Sequence, residues 1–189
     1  MGNREDLLAG AKRCLYDKGY ARTTARDISS ASGVSLAAIG YHFGSKDALL
    51  NAALYEATDE WGTELGRTLA AESGGAPGSM ERFESTWDRV IELFAEHRPL
   101  WAAQFEIFAQ IEHVPEMRTF FADANQDARY GLASLFQSID SDQDEPTARV
   151  MGSFYQALLT GVMAQLLIDP ERAPSGRDLA EALRTIAKT

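Results

Sequence analysis

Three histidines (His42, His97 and His113), one cysteine (Cys14) and 28 acidic residues are the groups from which this 189-residue chain would have to build acid–base, nucleophilic or metal chemistry. A covalent centre needs a nucleophile and a base within hydrogen-bond reach, and a carboxylate-bridged metal bundle needs Glu-x-x-His pairs on facing helices. The histidines are scattered, and none follows a glutamate at that spacing. One thiol forms no internal disulfide, and without clustered histidines it makes no zinc site. Neither catalysis nor a metal nor a cofactor is expected. A different pattern fills residues 22–47: Arg-Thr-Thr-Ala-Arg-Asp-Ile-Ser-Ser-Ala-Ser-Gly-Val-Ser-Leu-Ala-Ala-Ile-Gly-Tyr-His-Phe-Gly-Ser-Lys-Asp, rich in hydroxyls, small residues and basic groups.

That stretch lies in the one basic part of an acidic protein. Residues 1–50 carry seven Lys/Arg against five Asp/Glu, a net charge of +2, so the remainder carries −12 of the total of −10. A polyanion would be met by the first quarter and held away from the rest, although an imbalance of two charges also arises by chance. No stretch approaches the roughly 18 uninterrupted apolar residues of a membrane span, and the start, Met1-Gly2-Asn3-Arg4-Glu5-Asp6, lacks the apolar run of a secretory signal. A cytoplasmic location is expected.

The elements that position these residues should be helices. Ala and Leu number 48 against 13 for Val and Ile, and no segment alternates apolar with polar residues long enough to read as a strand. All six prolines lie after residue 76, where apolar stripes start or stop. Leu7, Leu8, Ala11, Cys14 and Leu15 make one helix face, with Cys14 in the core, ending at Gly19. Thr24 with Asp27, then Ser35, then Ser45 mark three further helix starts. Between the first two of these lies Ala31-Ser32-Gly33-Val34. A short helix, a turn containing Gly and a second short helix make a helix-turn-helix, with Ile28, Val34 and Ile39 pinning the pair. The helix begun at Ser45 runs to about Leu69 and would span about 40 Å. A Gly-rich loop is expected at 73–79, followed by aromatic helices and a final Asp169–Arg177 linker. The expected fold is all-α: an N-terminal three-helix domain over residues 1–50, joined by the long helix to a helical domain over residues 51–189.

Thr23-Thr24-Ala25-Arg26-Asp27-Ile28, Ala31-Ser32-Gly33-Val34-Ser35 and, above all, Tyr41-His42-Phe43-Gly44-Ser45-Lys46-Asp47-Ala48-Leu49-Leu50 resemble the tetracycline-repressor (TetR-like) family of bacterial transcriptional regulators. The likeness covers about the first 50 residues closely and the rest only in length and helical pattern. It implies that Ser35, Leu36, Ala37 and Ala38 head a recognition helix, with Ser35 donating to phosphate or base and the apolar side chains touching thymine methyls. Tyr41 and His42 would face the sugar-phosphate backbone, Lys46 would add a charge to amides at a helix start, and Thr23 and Thr24 would bind a second phosphate. Ser35, Thr24 and Ser45 also fit helix caps, Arg22 and Arg26 fit solvated charges, and His42 fits a packed side chain. The family usually has an aromatic residue where Gly40 stands here.

For residues 51–189 the resemblance implies a ligand pocket and a dimer interface. Trp87, Trp101, Phe105, Phe121 and Tyr155 are the pocket candidates, since rigid aromatic faces suit a flat apolar or cationic ligand, although such a stripe also fits core. Glu106 either faces that ligand or is solvated, and His97 and His113 read as surface residues at helix ends. Met151, Leu158, Val162, Leu166, Leu179, Leu183 and Ile186 are the dimer candidates, from two helices that would form a four-helix bundle with their symmetry mates. The function implied is a ligand-responsive regulator, a repressor in the family's usual mode. It would bind a double-stranded inverted-repeat operator as a homodimer and be released by a small effector. The competing reading is a helical interaction protein whose helix-turn-helix only packs.

Overall fold

The computed structural model of the chain describes residues 2–71, 79–109 and 115–188, the side chains of residues 71, 115–117, 120 and 121 excepted. Among them are nine helices and no strand: α1 (Asn3–Lys18), α2 (Ala25–Ser32), α3 (Leu36–Phe43), α4 (Lys46–Ala71), α5 (Met80–Glu96), α6 (Arg98–Phe108), α7 (Pro115–Gln137), α8 (Glu145–Ile168) and α9 (Gly176–Ile186). The all-α expectation holds. The Gly-rich run at 73–78, His113 and the side chain of Phe121 lie outside the described residues. The chain forms two compact units, Met1–Glu64 with His97–Gln110, and Leu65–Glu96 with Ile111–Thr189. Helix α4 contributes its first 19 residues, Lys46–Glu64, to the first and the rest to the second.

In the first unit, Leu7, Ala11, Leu15, Ile28, Leu49, Leu50, Ala53 and Ile107 are fully buried and form the core. Cys14 belongs to it at 5% exposure, and burial pushes its thiol up, away from a reactive thiolate. Tyr20 is buried with its hydroxyl donating to Asn51 Oδ1 at 2.9 Å, and burial likewise pushes the phenol up. Helix α6 is fastened to α1 near its start and to the turn after α1 near its end. His97, at its N-cap, lies 3.2 Å from the Tyr16 hydroxyl through Nδ1 and 3.3 Å from Glu64 through Nε2, so it is a partly buried link rather than a surface residue. The half-exposed Glu106 carboxylate accepts from the Ala21 backbone N–H at 2.7 Å, which ties it to the turn before α2.

In the second unit, Trp87, Val90, Leu93, Ala133, Ala148, Tyr155 and Ala180 supply the buried surface. Helix α7 buries Ala133, whereas its Ala128 is exposed. Two glycines let helices approach closely: a Cβ on Gly152 of α8 would run into the Arg129 carbonyl of α7, and one on Gly176 of α9 into the Glu84 carbonyl of α5. The last linker is shorter than anticipated because Ser175 caps α9 in a reciprocal box with Asp178. Gly131, also on α7, has open space around it. Gly131→Ala should therefore stabilise the protein by about 0.5–1 kcal/mol through helix propensity, whereas Gly152→Ala should cost about 1–3 kcal/mol because a backbone carbonyl must move; urea unfolding midpoints of the two variants check both signs.

Candidate nucleic-acid interface

Helix α2 starts where the capping pattern places it. Thr24 Oγ1 accepts from the Asp27 N–H at 3.2 Å, while the Asp27 carboxylate accepts from the Thr24 N–H at 2.9 Å and from its hydroxyl at 2.7 Å. Lys18 pairs with the same carboxylate at 2.6 Å; its hydrogen bond, with those from Thr24, holds Asp27 well below the usual carboxylate range. Helix α2 ends at Gly33, whose φ of 71° is the left-handed conformation that glycine takes without penalty. The turn is then tied by Ser29, whose hydroxyl donates to the Val34 carbonyl at 2.6 Å.

Two contacts seat this pair on α1. A Cβ on Gly10 would lie 2.8 Å from Ser32 Cβ and 2.9 Å from its backbone nitrogen, so α1 and α2 meet at a position only glycine admits. Arg13 donates to the Ala31 carbonyl at the same end of α2. Ile28 at 0%, Ile39 at 4% and Val34 at 9% exposure close the small core between α2 and α3, and the Arg4 guanidinium lies 5.3 Å from the centre of the Phe43 ring.

With Ile39 turned inward, the other side of α3 faces outward. Ser35, Leu36, Ala37, Gly40 and Tyr41 are exposed, Leu36 at 48% and Tyr41 at 85%, whereas Ala38 and His42 are half-buried. Ser35 makes no side-chain capping bond, so its hydroxyl is left for a ligand. Nothing lies within 4 Å of a Cβ on Gly40, so the family's aromatic residue would project into solvent here rather than into the core. The eight residues of α3 extend about 12 Å along the axis, and a helix about 10–12 Å across with its side chains fits a B-DNA major groove about 12 Å wide. His42 packs edge-on against Tyr41 with ring centres 4.9 Å apart.

Two of the expected contact residues have structural partners within the chain. Thr23 is 1% exposed and its hydroxyl donates to the Gly19 carbonyl at 2.7 Å and to the Cys14 carbonyl at 3.3 Å, so its side chain reaches no phosphate without opening the unit. Lys46 is 2.8 Å from Asp47, donates to the Thr23 carbonyl at 3.3 Å and lies 5.7 Å from the Tyr20 ring centre, which partly neutralises it and ties α4 to the turn before α2.

Residues 7–53 match the family described as "Bacterial regulatory proteins, tetR family", and residues 78–189 match "Tetracyclin repressor-like, C-terminal domain". The chain belongs to the tetR family. It is a DNA-binding transcriptional regulator. The HTH-type transcriptional repressor Rv1474c of Mycobacterium tuberculosis is 26% identical over 183 residues, 94% of this chain and 90% of that protein. The HTH-type transcriptional repressor AcnR of Corynebacterium glutamicum is 43% identical over 47 residues, a quarter (25%) of each chain. Among solved structures, the multidrug binding protein EbrR complexed with imidazole has a TM-score of 0.70 at 22% identity, covering 98% of this chain and 94% of that one. The regulator SCO7518 of Streptomyces coelicolor A3(2) has a TM-score of 0.68 at 21% identity over 99% of both chains.

The other anticipated residues of this tetR-family chain divide between the units. Trp101 packs edge-on against Trp61 with centres 4.7 Å apart, and Phe105 against Phe108 at 5.7 Å, both in the first unit. Trp87 and Tyr155 each stack with Phe136 in the second, and Phe136 is a residue the sequence reading passed over. Of the dimer candidates, Leu158, Val162 and Leu179 line an apolar groove of about 250 Å³ with Phe154, Ala157 and Pro174. Val162 is 2% exposed and so mainly serves its own protomer, whereas Ile186 is 69% exposed and Met151, Leu166 and Leu183 are half-buried. Val150, Phe154 and Ile168, at 57, 38 and 83% exposure, extend the apolar face of α8.

Gly10→Ala should lower stability by about 1–2 kcal/mol despite its better helix propensity, because the Ser32 backbone has to yield, and should weaken duplex binding by shifting α2 and α3; denaturation and a duplex titration at one salt concentration test this together. Asp27 contributes stability above its unfolded value near pH 4 and loses it as pH falls below that. The gap in urea midpoint between the wild-type chain and Asp27→Asn should therefore narrow between about pH 5 and pH 3.

Proposed function

We propose that the chain is a cytoplasmic repressor that binds an inverted-repeat operator as a homodimer and is released by a small, largely apolar or aromatic effector, without catalysing a reaction. The observation that carries the reading is the outward face of α3: Ser35, Leu36, Ala37 and Tyr41 stand free while Ile39 anchors the helix from behind. Residues 1–50 serve as the DNA-binding domain and residues 51–189 as the ligand-binding and dimerisation domain. Leu36, Ala37 and Ala38 touch base methyls, Ser35 donates to base or phosphate, and Tyr41, His42 and Thr24 meet the backbone, joined by the residual charge of Lys46.

Dimerisation is supported by the exterior of α8. Its 24 residues reach a mean hydropathy of 1.3 in an 18-residue window of which only 28% is buried, an apolar surplus that a second copy would cover. A two-fold dimer sets the two α3 helices about 34 Å apart, one turn of DNA. The operator is then a palindrome. EbrR, similar in fold, is known in complex with proflavin, a flat aromatic molecule. Effector and operator compete through two dimer geometries, so each weakens the other by the same factor.

Selection of bound duplexes from a random pool should recover an inverted repeat, with affinity falling steeply as salt rises. On the recovered duplex, Lys46→Ala should weaken binding to all sequences alike, whereas Ala37→Ser should change which base is preferred at one position per half-site. A chain that ignores DNA at low salt favours the interaction-protein reading, and an effector bound equally well with and without operator refutes the coupling.

A further inference from the structure

The first five residues of α3 read Leu-Ala-Ala-Ile-Gly, and none of their side chains donates or accepts a hydrogen bond. Leu36, Ala37 and Gly40 of this run are exposed, Ala38 is half-buried, and Ile39 is turned into the core. The polar side chains stand toward the two ends, Ser35 before the helix and Tyr41 with His42 near its close. Residues three and four apart on a helix are neighbours, so Gly40 lies one turn beyond Ala37 and Leu36 on one side of α3.

Nothing inside the chain calls for glycine at residue 40. No atom of the described residues comes within 4 Å of a Cβ built there, in contrast to Gly10, where the Ser32 backbone nitrogen stands at 2.9 Å. Its φ is not positive, so no left-handed turn calls for it either. Glycine weakens a helix interior relative to alanine, a cost that no contact within the chain offsets here. The missing side chain leaves a shallow recess of uncovered backbone on the exposed side of α3. Leu36, 48% exposed, and the Ala37 methyl border it.

In the major groove the four base pairs differ in donors, in acceptors and in one apolar group, the thymine C5-methyl. A surface without donors or acceptors discriminates by that methyl and by shape. We propose that Gly40 is a specificity-determining residue, whose recess receives one thymine C5-methyl in each operator half-site, against Leu36 and Ala37. This rests on the operator reading above and names the base feature that the middle of α3 selects.

The full-length wild-type chain and the duplex recovered by selection serve for the test. Deoxyuridine, put in place of one thymine at a time, removes the methyl and keeps the O4 acceptor and the pairing. At one thymine per half-site it should weaken binding about fourfold, the worth of one buried methyl, and about fifteenfold when both half-sites are changed. Replacing the paired adenine by 7-deazaadenine, which removes the N7 acceptor and leaves the methyl, should change affinity by less than about twofold. At the same pair, 5-methylcytosine should bind about fourfold better than cytosine. Gly40→Ala fills the recess with a methyl of its own, and should bind the thymine and deoxyuridine duplexes within about 1.5-fold of each other. That variant locates the contact, since a methyl acting only through duplex shape is felt equally by both chains; the wild-type series stands if the variant does not fold. The proposal is overturned if deoxyuridine is tolerated at every thymine of the half-site, if the half-site holds no thymine, if 7-deazaadenine costs more than deoxyuridine, if 5-methylcytosine binds no better than cytosine, or if Gly40→Ala keeps the full preference for the methyl. In each of those cases a duplex is still bound and the operator reading stands. A chain that recovers no duplex from the pool overturns both.

Discussion

The approach of α1 and α2 at Gly10 and Ser32 sets where α3 can lie, because α3 is joined to α2 by only three residues, Gly33, Val34 and Ser35, and shares its small core. A side chain at residue 10 would have to displace backbone, whereas the hydrogen cedes the room. Once α2 is seated, Ile28 and Ile39 find each other, each worth about 1.5–3 kcal/mol of burial, and the opposite face of α3 is left to solvent. An exposed tyrosine and leucine on an eight-residue helix would be a poor choice for stability alone. They become intelligible as a surface kept for a groove.

The same unit shows how polar groups divide their labour. Thr24, Asp27 and Lys18 form a closed network that starts α2, while Thr23, one residue away, turns inward to two carbonyls. Lys46 and Glu106 clamp the turn before α2, one through the Thr23 carbonyl and the other through the Ala21 N–H. The loop that leads into the helix-turn-helix is thereby held by α4 and α6, the two helices through which the rest of the chain is connected to it.

In the second unit, the close contact of α7 and α8 at Gly152 goes with the stacking of Phe136 on Tyr155, and the contact of α9 with α5 at Gly176 seats the last helix. The Trp87 indole nitrogen is buried there without a hydrogen-bond partner among the described residues, a kind of group that a well-packed interior holds in small number.

Residue order alone determined the all-helical fold, the caps at Thr24 and Ser45, the glycine turn and the family, because those depend on neighbours within four positions: the Thr24–Asp27 box, Gly33 and the Ser45 start all act through bonds to nearby backbone. The recognition segment was legible for the same reason, since a short capped helix after a turn shows its face by spacing. Contacts far apart in sequence were not. Thr23 and Thr24 are identical in type, and only packing turns one inward and one outward. His97 and Glu106 carry no sequence signal of the partners, Tyr16 and Ala21, that folding brings to them, and Phe136 stands out only once α5 and α8 supply rings that stack with it. Such pairings are set by which helix surfaces fit together, a property of three-dimensional shape that one-dimensional spacing does not carry.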